Sequence, residues 1–283
     1  MDLKQMLSNQ KTRNRKTTLL SLLISLALLL SSCSSTTNNQ SDDQGPQGQE
    51  KVEVFFVGDT QRGFRLFSEI REFPAGDDLA ESVISQLISG QITPLDSDYA
   101  NLWNNSHRLN SISYEGSWAT VDIDLGKLNV GSESELRAIE QIVWTLTGIS
   151  PEITTVRFTV NGNTVETFAG HVDAKADFKR APEYEVLNPI QIESINDGDQ
   201  ASNPLVILGK ACTFEANVVW TLLKDEEVID EGFTTAAAAC PERSDWSISM
   251  NSLKPGSYKF EAKEFSAEDG SLFAIDSKQF VIK

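Results

Sequence analysis

Asp122 and Asp124 are the residues best spaced for chemistry: two carboxylates two positions apart in the alternating run Trp118-Ala119-Thr120-Val121-Asp122-Ile123-Asp124-Leu125. On a strand they would leave one face about 7 Å apart, compatible with acid/base work or a divalent cation. A plainer reading competes, because alternating acids also solvate the wet face of a half-buried strand, and no apolar pocket is encoded nearby to shift a pKa. Asp96-Ser97-Asp98 lacks the glycine and distal glutamate of a calcium loop and reads as a turn or helix start. His107 and His171 are the only histidines, and HExxH, paired-His and CxxC patterns are missing, so no metal and no cofactor is expected. The same holds for nucleophilic and nucleotide chemistry, since neither G-x-S-x-G nor a Walker-type glycine loop occurs. Tyr99, Trp103 and His107 lie in Gln91 to Asn110, a polar stretch without sustained period that reads as a long loop with room for one helical turn. Such aromatics either anchor a protein or glycan partner or cover an edge of the helix layer.

Three cysteines carry different expectations. Before Cys33, Met1 to Thr18 holds Lys4, Lys11, Arg13, Arg15 and Lys16 against one acid, and Leu19 to Leu30 is an apolar run. As a helix that run covers only about 18 Å of a bilayer core of about 30 Å, too short for a permanent span. Leu30-Ser31-Ser32-Cys33 resembles the lipobox read by lipoprotein diacylglyceryl transferase and signal peptidase II. Residues 1–32 are therefore expected to be a removable signal peptide, and Cys33 to become an acylated (palmitate-type) membrane anchor. Cys212 and Cys240 are an even pair in an exported chain and read most simply as one disulfide, two buried free thiols being the alternative.

The chain has 283 residues and a formal net charge of −17. Removing the leader takes away five basic residues and one acid, so the mature chain is more acidic still, which argues against nucleic acid and against attraction to anionic headgroups. The remaining length suits two domains with separate cores.

After Cys33, the stretch to Glu50 has no aliphatic or aromatic residue and is expected to be a disordered tether over 33–50, spanning roughly 20 Å. A first domain, 51–171, opens with strand-like runs at Val52 to Val57 and Phe64 to Phe73. Asp78 with Glu81 forms a capping-box pattern ahead of the stripe Leu79, Val83, Ile84, Leu87 and Ile88, which Gly90 stops. Ser132 with Glu135 is a second such box, with Leu136, Ile139, Ile142, Val143 and Leu146 facing inward. Val156, Phe158 and Val160 lead to Asn161-Gly162, a hairpin-type dipeptide, with Val165 to Phe168 as the returning strand. This predicts the order β-β-α-β-α-β-β. Residues 172–188, with mixed charge and Pro182, read as a linker, and 189–283 as an all-β domain of seven strands broken by turn pairs such as Asp197-Gly198 and Pro255-Gly256. Trp220 and Trp246 are its expected core.

Val52 to Phe168 resembles the GerMN module of spore germination and sporulation lipoproteins, on its first strand, its paired helices, Trp118 to Leu125, and Val143-Trp144-Thr145-Leu146-Thr147 before Val156 to Gly162. Ile190 to Lys283 resembles the immunoglobulin-like domain of bacterial spore germination, through Pro204 to Ala211 with Phe214-Glu215-Ala216, then Pro255-Gly256-Ser257-Tyr258, then Ser266 to Gly270. The resemblance implies an α+β chain: a two-helix α/β sandwich followed by an immunoglobulin-like β-sandwich. It also implies a non-enzymatic, extracytoplasmic lipoprotein held to the membrane through Cys33, with a binding or scaffolding role toward an envelope protein partner. The oligomeric state is left open. The alternative is a peptidoglycan- or glycan-acting envelope protein, a hydrolase or a glycan binder, using the loop aromatics and carboxylates.

Overall fold

A computed structural model describes residues 48–283 apart from Asn129. The leader, Cys33 and nearly all of the expected tether lie outside the described residues.

The α/β half begins with β1 (Gln49–Thr60), which starts inside the expected tether, and β2 (Gly63–Pro74), paired antiparallel in a register that sets Val57 opposite Leu66. Both faces of β1 are covered. Val52, Val54 and Phe56 enter the main core, while Phe55 and Val57 meet Leu66, Trp144, Val186 and Leu187 in a smaller one. α1 (Leu79–Ile88) buries the five apolar residues whose spacing marks it, but Asp78 makes no side-chain cap bond, so the expected box is not formed. β3 (Tyr99–Ala100) adds a short third strand alongside β1.

A second sheet holds β4 (Arg108–Glu115), β5 (Trp118–Asp124) and, after α2 (Ser132–Ile149), β6 (Thr155–Val160), in the order β4-β5-β6. β4 was not expected. It is an exposed edge with only Leu109 and Ile112 half-buried, so it lacks the apolar alternation that reveals a strand. β6 runs parallel to β5, and α2 makes the crossover.

The predicted return strand at Val165 to Phe168 is absent. Asn161 and Gly162 do adopt positive φ, and Asn163 N–H closes the turn onto the Val160 oxygen, but the chain then leaves the sheet. Phe168 turns inward against Phe158, and Phe178 occupies the β6 edge at Val156. Glu135, expected in a cap, lies buried and accepts the N–H groups of Phe168 (3.1 Å), Ala169 (2.8 Å) and His171 (3.0 Å). These backbone donors are spent on a helix carboxylate and not on a ladder. α2 is enclosed well beyond its predicted stripe: Ile139, Ile142, Val143 and Leu146 are buried, but so are Gln141, Trp144 and Thr145, whereas Leu136 is 37% exposed.

The expected linker is packed structure. Ala174 is buried, Val186 and Leu187 complete the smaller core, and a third, one-turn helix, α3 (Glu183–Val186), corrects the two-helix expectation.

The second half contains β7 (Ile190–Ile192), β8 (Asp199–Ala201), β9 (Leu205–Ala211), β10 (Asn217–Lys224), β11 (Glu227–Thr235), β12 (Ser244–Met250), β13 (Gly256–Phe265) and β14 (Leu272–Ile282). They form two sheets, β11-β10-β13-β14-β8 and β12-β9-β7, one strand more than expected because the short β8 pairs parallel with the end of β14. Alternation places Leu205, Ile207, Tyr258, Phe260, Phe280 and Ile282 between the sheets with Trp246, while Trp220 is half-buried against them. Gly209 is required by close approach: a Cβ there would stand 2.1 Å from the Gln191 oxygen and 2.4 Å from the Trp246 ring. Cys212 and Cys240 are disulfide-bonded, with Cα atoms 4.4 Å apart.

Candidate functional site

The three loop residues singled out by sequence are all buried. Trp103 donates its indole N–H to the Ala138 oxygen (2.8 Å), which fixes the segment against α2. His107 packs edge-on against Trp103 at 5.2 Å between ring centres, and its Nδ1 accepts the Gly126 N–H (3.2 Å). Burial holds its pKa below the usual histidine value, favouring the neutral ring. Tyr99 stacks on Phe67 at 4.3 Å. None of these rings lies on the surface, so the segment contributes packing and not an aromatic contact face.

The strand carboxylates are committed to local structure. Burial, the largest single influence, pushes Asp122 up, but hydrogen bonds from Thr159 Oγ1 (2.7 Å), Gly162 N–H (2.7 Å) and Asn110 Nδ2 (2.9 Å) together outweigh it and hold the carboxyl below its ordinary value. Asp124 pairs with the exposed Arg108 at 3.1 Å. Together they tie the β4–β5 hairpin to the turn after β6, and neither is desolvated as a general acid needs. Among the described residues no group of three or more His, Cys, Asp or Glu is placed to hold a metal ion.

The concentrated electrostatics lie where the two halves meet, in a network that joins Asp96 and Tyr99 to Asp276 and Lys278, two residues the sequence reading left aside. Lys278 on β14 is buried and donates to Asp96, to Tyr99 Oη (2.6 Å) and to Asp276 Oδ1 (3.1 Å). Tyr99 Oη donates to Asp276 Oδ1 (2.7 Å), and Asp276 Oδ2 accepts the Ile192 N–H (2.7 Å). Burial alone would lower the Lys278 pKa, but Asp276 and Asp96 raise it, so the ammonium stays charged. Burial, with the negative charge of Asp276 behind it, pushes the Tyr99 phenol well up. This lysine is a structural cation and not a nucleophile.

Neighbouring bonds extend the seam. Glu69 on β2 accepts the N–H groups of Leu95 (2.9 Å) and Asp96 (3.0 Å), fixing the turn that carries Asp96. Gln191 donates to the Ser68 oxygen (2.7 Å) and accepts the Ser68 N–H (3.2 Å), and Asn188 bridges from the Leu66 oxygen to the Ile275 oxygen. Sequence carried one usable signal. Asp276 and Lys278 are in phase with Ala274, Phe280 and Ile282 on β14, so two charges occupy positions where the strand faces inward. Two clefts of about 490 and about 500 Å³ border the seam, one beside Tyr99 and Asp276 and the other beside the disulfide.

Comparison with known proteins places two family models on the chain. Residues 53–166 match the family described as sporulation and spore germination, and residues 189–271 match the immunoglobulin-like domain of bacterial spore germination. Among solved structures, a presumed lipoprotein from Clostridium perfringens is 22% identical over 47% of this chain and 89% of its own, with a TM-score of 0.33. The first GerMN domain of the sporulation protein GerM from Bacillus subtilis is 18% identical over 46% of this chain and 98% of its own (TM-score 0.38). The tandem GerMN domains of the same protein are 15% identical over 73% and 63% (TM-score 0.41). No curated protein is matched.

Proposed function

Since this chain joins a sporulation and spore germination domain to an immunoglobulin-like domain of bacterial spore germination, we propose that it is a non-enzymatic scaffold of the cell envelope, anchored outside the cytoplasm through lipid on Cys33. The observation that carries the reading is the seam: the buried Lys278 network and the Gln191–Ser68 bonds join the two modules, so surfaces on both are presented in a fixed relation. A scaffold needs that fixity and needs no activated side chain. The mature chain's acidity supports acyl chains, not charge, as the hold on the membrane. No helix among the described residues is long and apolar enough to cross a bilayer, which is compatible with an anchor of this kind.

Photo-crosslinking from intact membranes, with the full chain carrying a crosslinker at exposed positions on each half, tests the role. A discrete protein adduct is the expected result, and recovery of no partner from either half would overturn it. Labelling with radioactive fatty acid tests the anchor: incorporation should be lost in Cys33→Ala, together with membrane attachment.

A further inference from the structure

We propose that the open edge of β11 accepts a basic, extended segment of a partner protein as an added strand of the five-stranded sheet. The inference rests on the scaffold reading for its setting and names the chemistry of the partner.

The backbone supplies the first observation. β11 ends the order β11-β10-β13-β14-β8, so one of its two sides is without a strand. The Ala236 N–H donates to the Ala216 oxygen (2.8 Å), and the antiparallel register continues with Val218 opposite Thr234, Trp220 opposite Gly232 and Leu222 opposite Asp230. Hydrogen-bonded pairs recur at every second residue, so Thr234, Gly232 and Asp230 are spent on β10, while Glu231 and Phe233 turn their N–H and C=O groups to the open side. β12 approaches at the Thr234 end, where Thr234 Oγ1 donates to the Ser247 oxygen (3.2 Å).

The side chains are the second observation. A strand edge that only has to be kept from pairing is shielded by charge, yet β11 exposes Val228 by 53%, Ile229 by 50% and Phe233 by 74%. Phe233 is the most exposed large apolar side chain among the described residues. It lies opposite Val219, and Val228 lies opposite Leu223. Val218 and Leu222 face the core, so by alternation Phe233 and Val228 belong to the outer face, where the side chains of an adjoining strand would meet them.

Charge selects the occupant. Asp225, Glu226, Glu227, Asp230 and Glu231 put five acids into seven residues, and none of them forms an ion pair among the described residues. The neighbouring lysines are engaged elsewhere: Lys259 and Lys263 pair with Glu261, and Lys224 lies 5.1 Å from the centre of the Tyr258 ring. Solvation explains acids on an edge, but not three large apolar side chains exposed among them. A second copy of β11 is disfavoured, because antiparallel pairing would set two acidic runs against each other. Lysine or arginine beside Asp230 and Glu231, with apolar residues beside Phe233 and Val228, completes the edge by strand addition.

The probe is a fluorescent nonapeptide, Thr-Thr-Val-Thr-Lys-Lys-Val-Val-Lys, written to run antiparallel to β11 with its paired lysines beside Glu231 and Asp230. Anisotropy with the full-length protein in detergent should show saturable binding, and the same peptide with glutamate for lysine should not bind. The double variant Asp230→Lys, Glu231→Lys, and separately Phe233→Ser, all at exposed side chains and checked for native circular dichroism, should weaken binding by about tenfold or more. Glu152→Lys, an exposed acid of the other half, should leave it unchanged. Methylating the peptide nitrogens that face β11 should abolish binding, while methylating the alternate set should not. No binding, equal loss in Glu152→Lys, or indifference to which nitrogens are methylated would overturn the proposal. If membrane crosslinking still yields its adduct while the peptide fails, the edge is refuted and the scaffold stands. If the peptide pairs as described but no adduct forms, the edge is upheld and the scaffold reading fails.

Discussion

Asp122 and Asp276 are both strand aspartates that accept three hydrogen bonds, yet they do opposite work. Asp122 sits on the wetter face of β5, and its partners are neutral groups of its own sheet and the adjoining turn. Asp276 is buried on the inner face of β14 and is satisfied by Tyr99 from the other half, by Lys278, and by the Ile192 backbone. Spacing that suggests chemistry marks the first, while the second, which joins the modules, shares the inward face of its strand with Lys278 between apolar residues. A carboxylate's consequence for the molecule follows from what it loses in water and who replaces it, and not from its nearness to another acid in sequence.

The contrast can be broken most directly at Lys278. Lys278→Met leaves Asp96 and Asp276 buried without their cation and should cost about 3–5 kcal/mol in urea unfolding. A loss below 1 kcal/mol would mean that the seam does not depend on this network. Tyr99→Phe removes one hydroxyl that both accepts from Lys278 and donates to Asp276, and should cost about 2 kcal/mol by the same measurement.

His107 sharpens the comparison through pH. Its folded pKa is depressed by burial below an unfolded value of about 6.5, so the unfolded state binds the proton more readily. Stability should be indifferent to this residue above that pH and fall below it, by at most about 1.4 kcal/mol per pH unit, until the folded ring also protonates. Subtracting the His107→Gln profile from the wild type across pH 4–8 isolates the slope, and a flat difference would contradict a buried neutral ring.

The smallest effect belongs to the conspicuous residue. Asp122→Asn should cost only about 1 kcal/mol near neutral pH. Because the folded pKa of Asp122 lies below its unfolded value, its contribution is complete above about pH 4 and is lost as pH falls through the folded value, so wild type and variant should converge in acid.

Much of the architecture was legible where burial has one side. The α1 stripe, the alternation of β5 and most sandwich strands follow from apolar period alone. Legibility failed where the partner of a group is remote in sequence. Ser132 and Glu135 have the spacing of a cap, but Glu135 serves residues 168–171, and those bonds replace the strand that Asn161-Gly162 seemed to announce. β4 escaped notice because an exposed edge needs no apolar face. For Tyr99, Trp103 and His107 the sequence leaves both a partner-facing loop and packing against the helix layer open, because their neighbours are polar and the covering helix lies some thirty residues away; the structure selects packing. The cleft beside the disulfide draws residues from the β1–β2 turn, α3 and the sandwich, a gathering no local pattern encodes.

The closed seam also bears on how the molecule can be dissected. Separating the modules for individual expression would cut between Tyr99 and Asp276, and between Ser68 and Gln191, giving each fragment a raw surface of charges and amides built to meet its sister. Behaviour recorded on such fragments would describe a wound, so point substitutions in the intact polypeptide are the cleaner instrument.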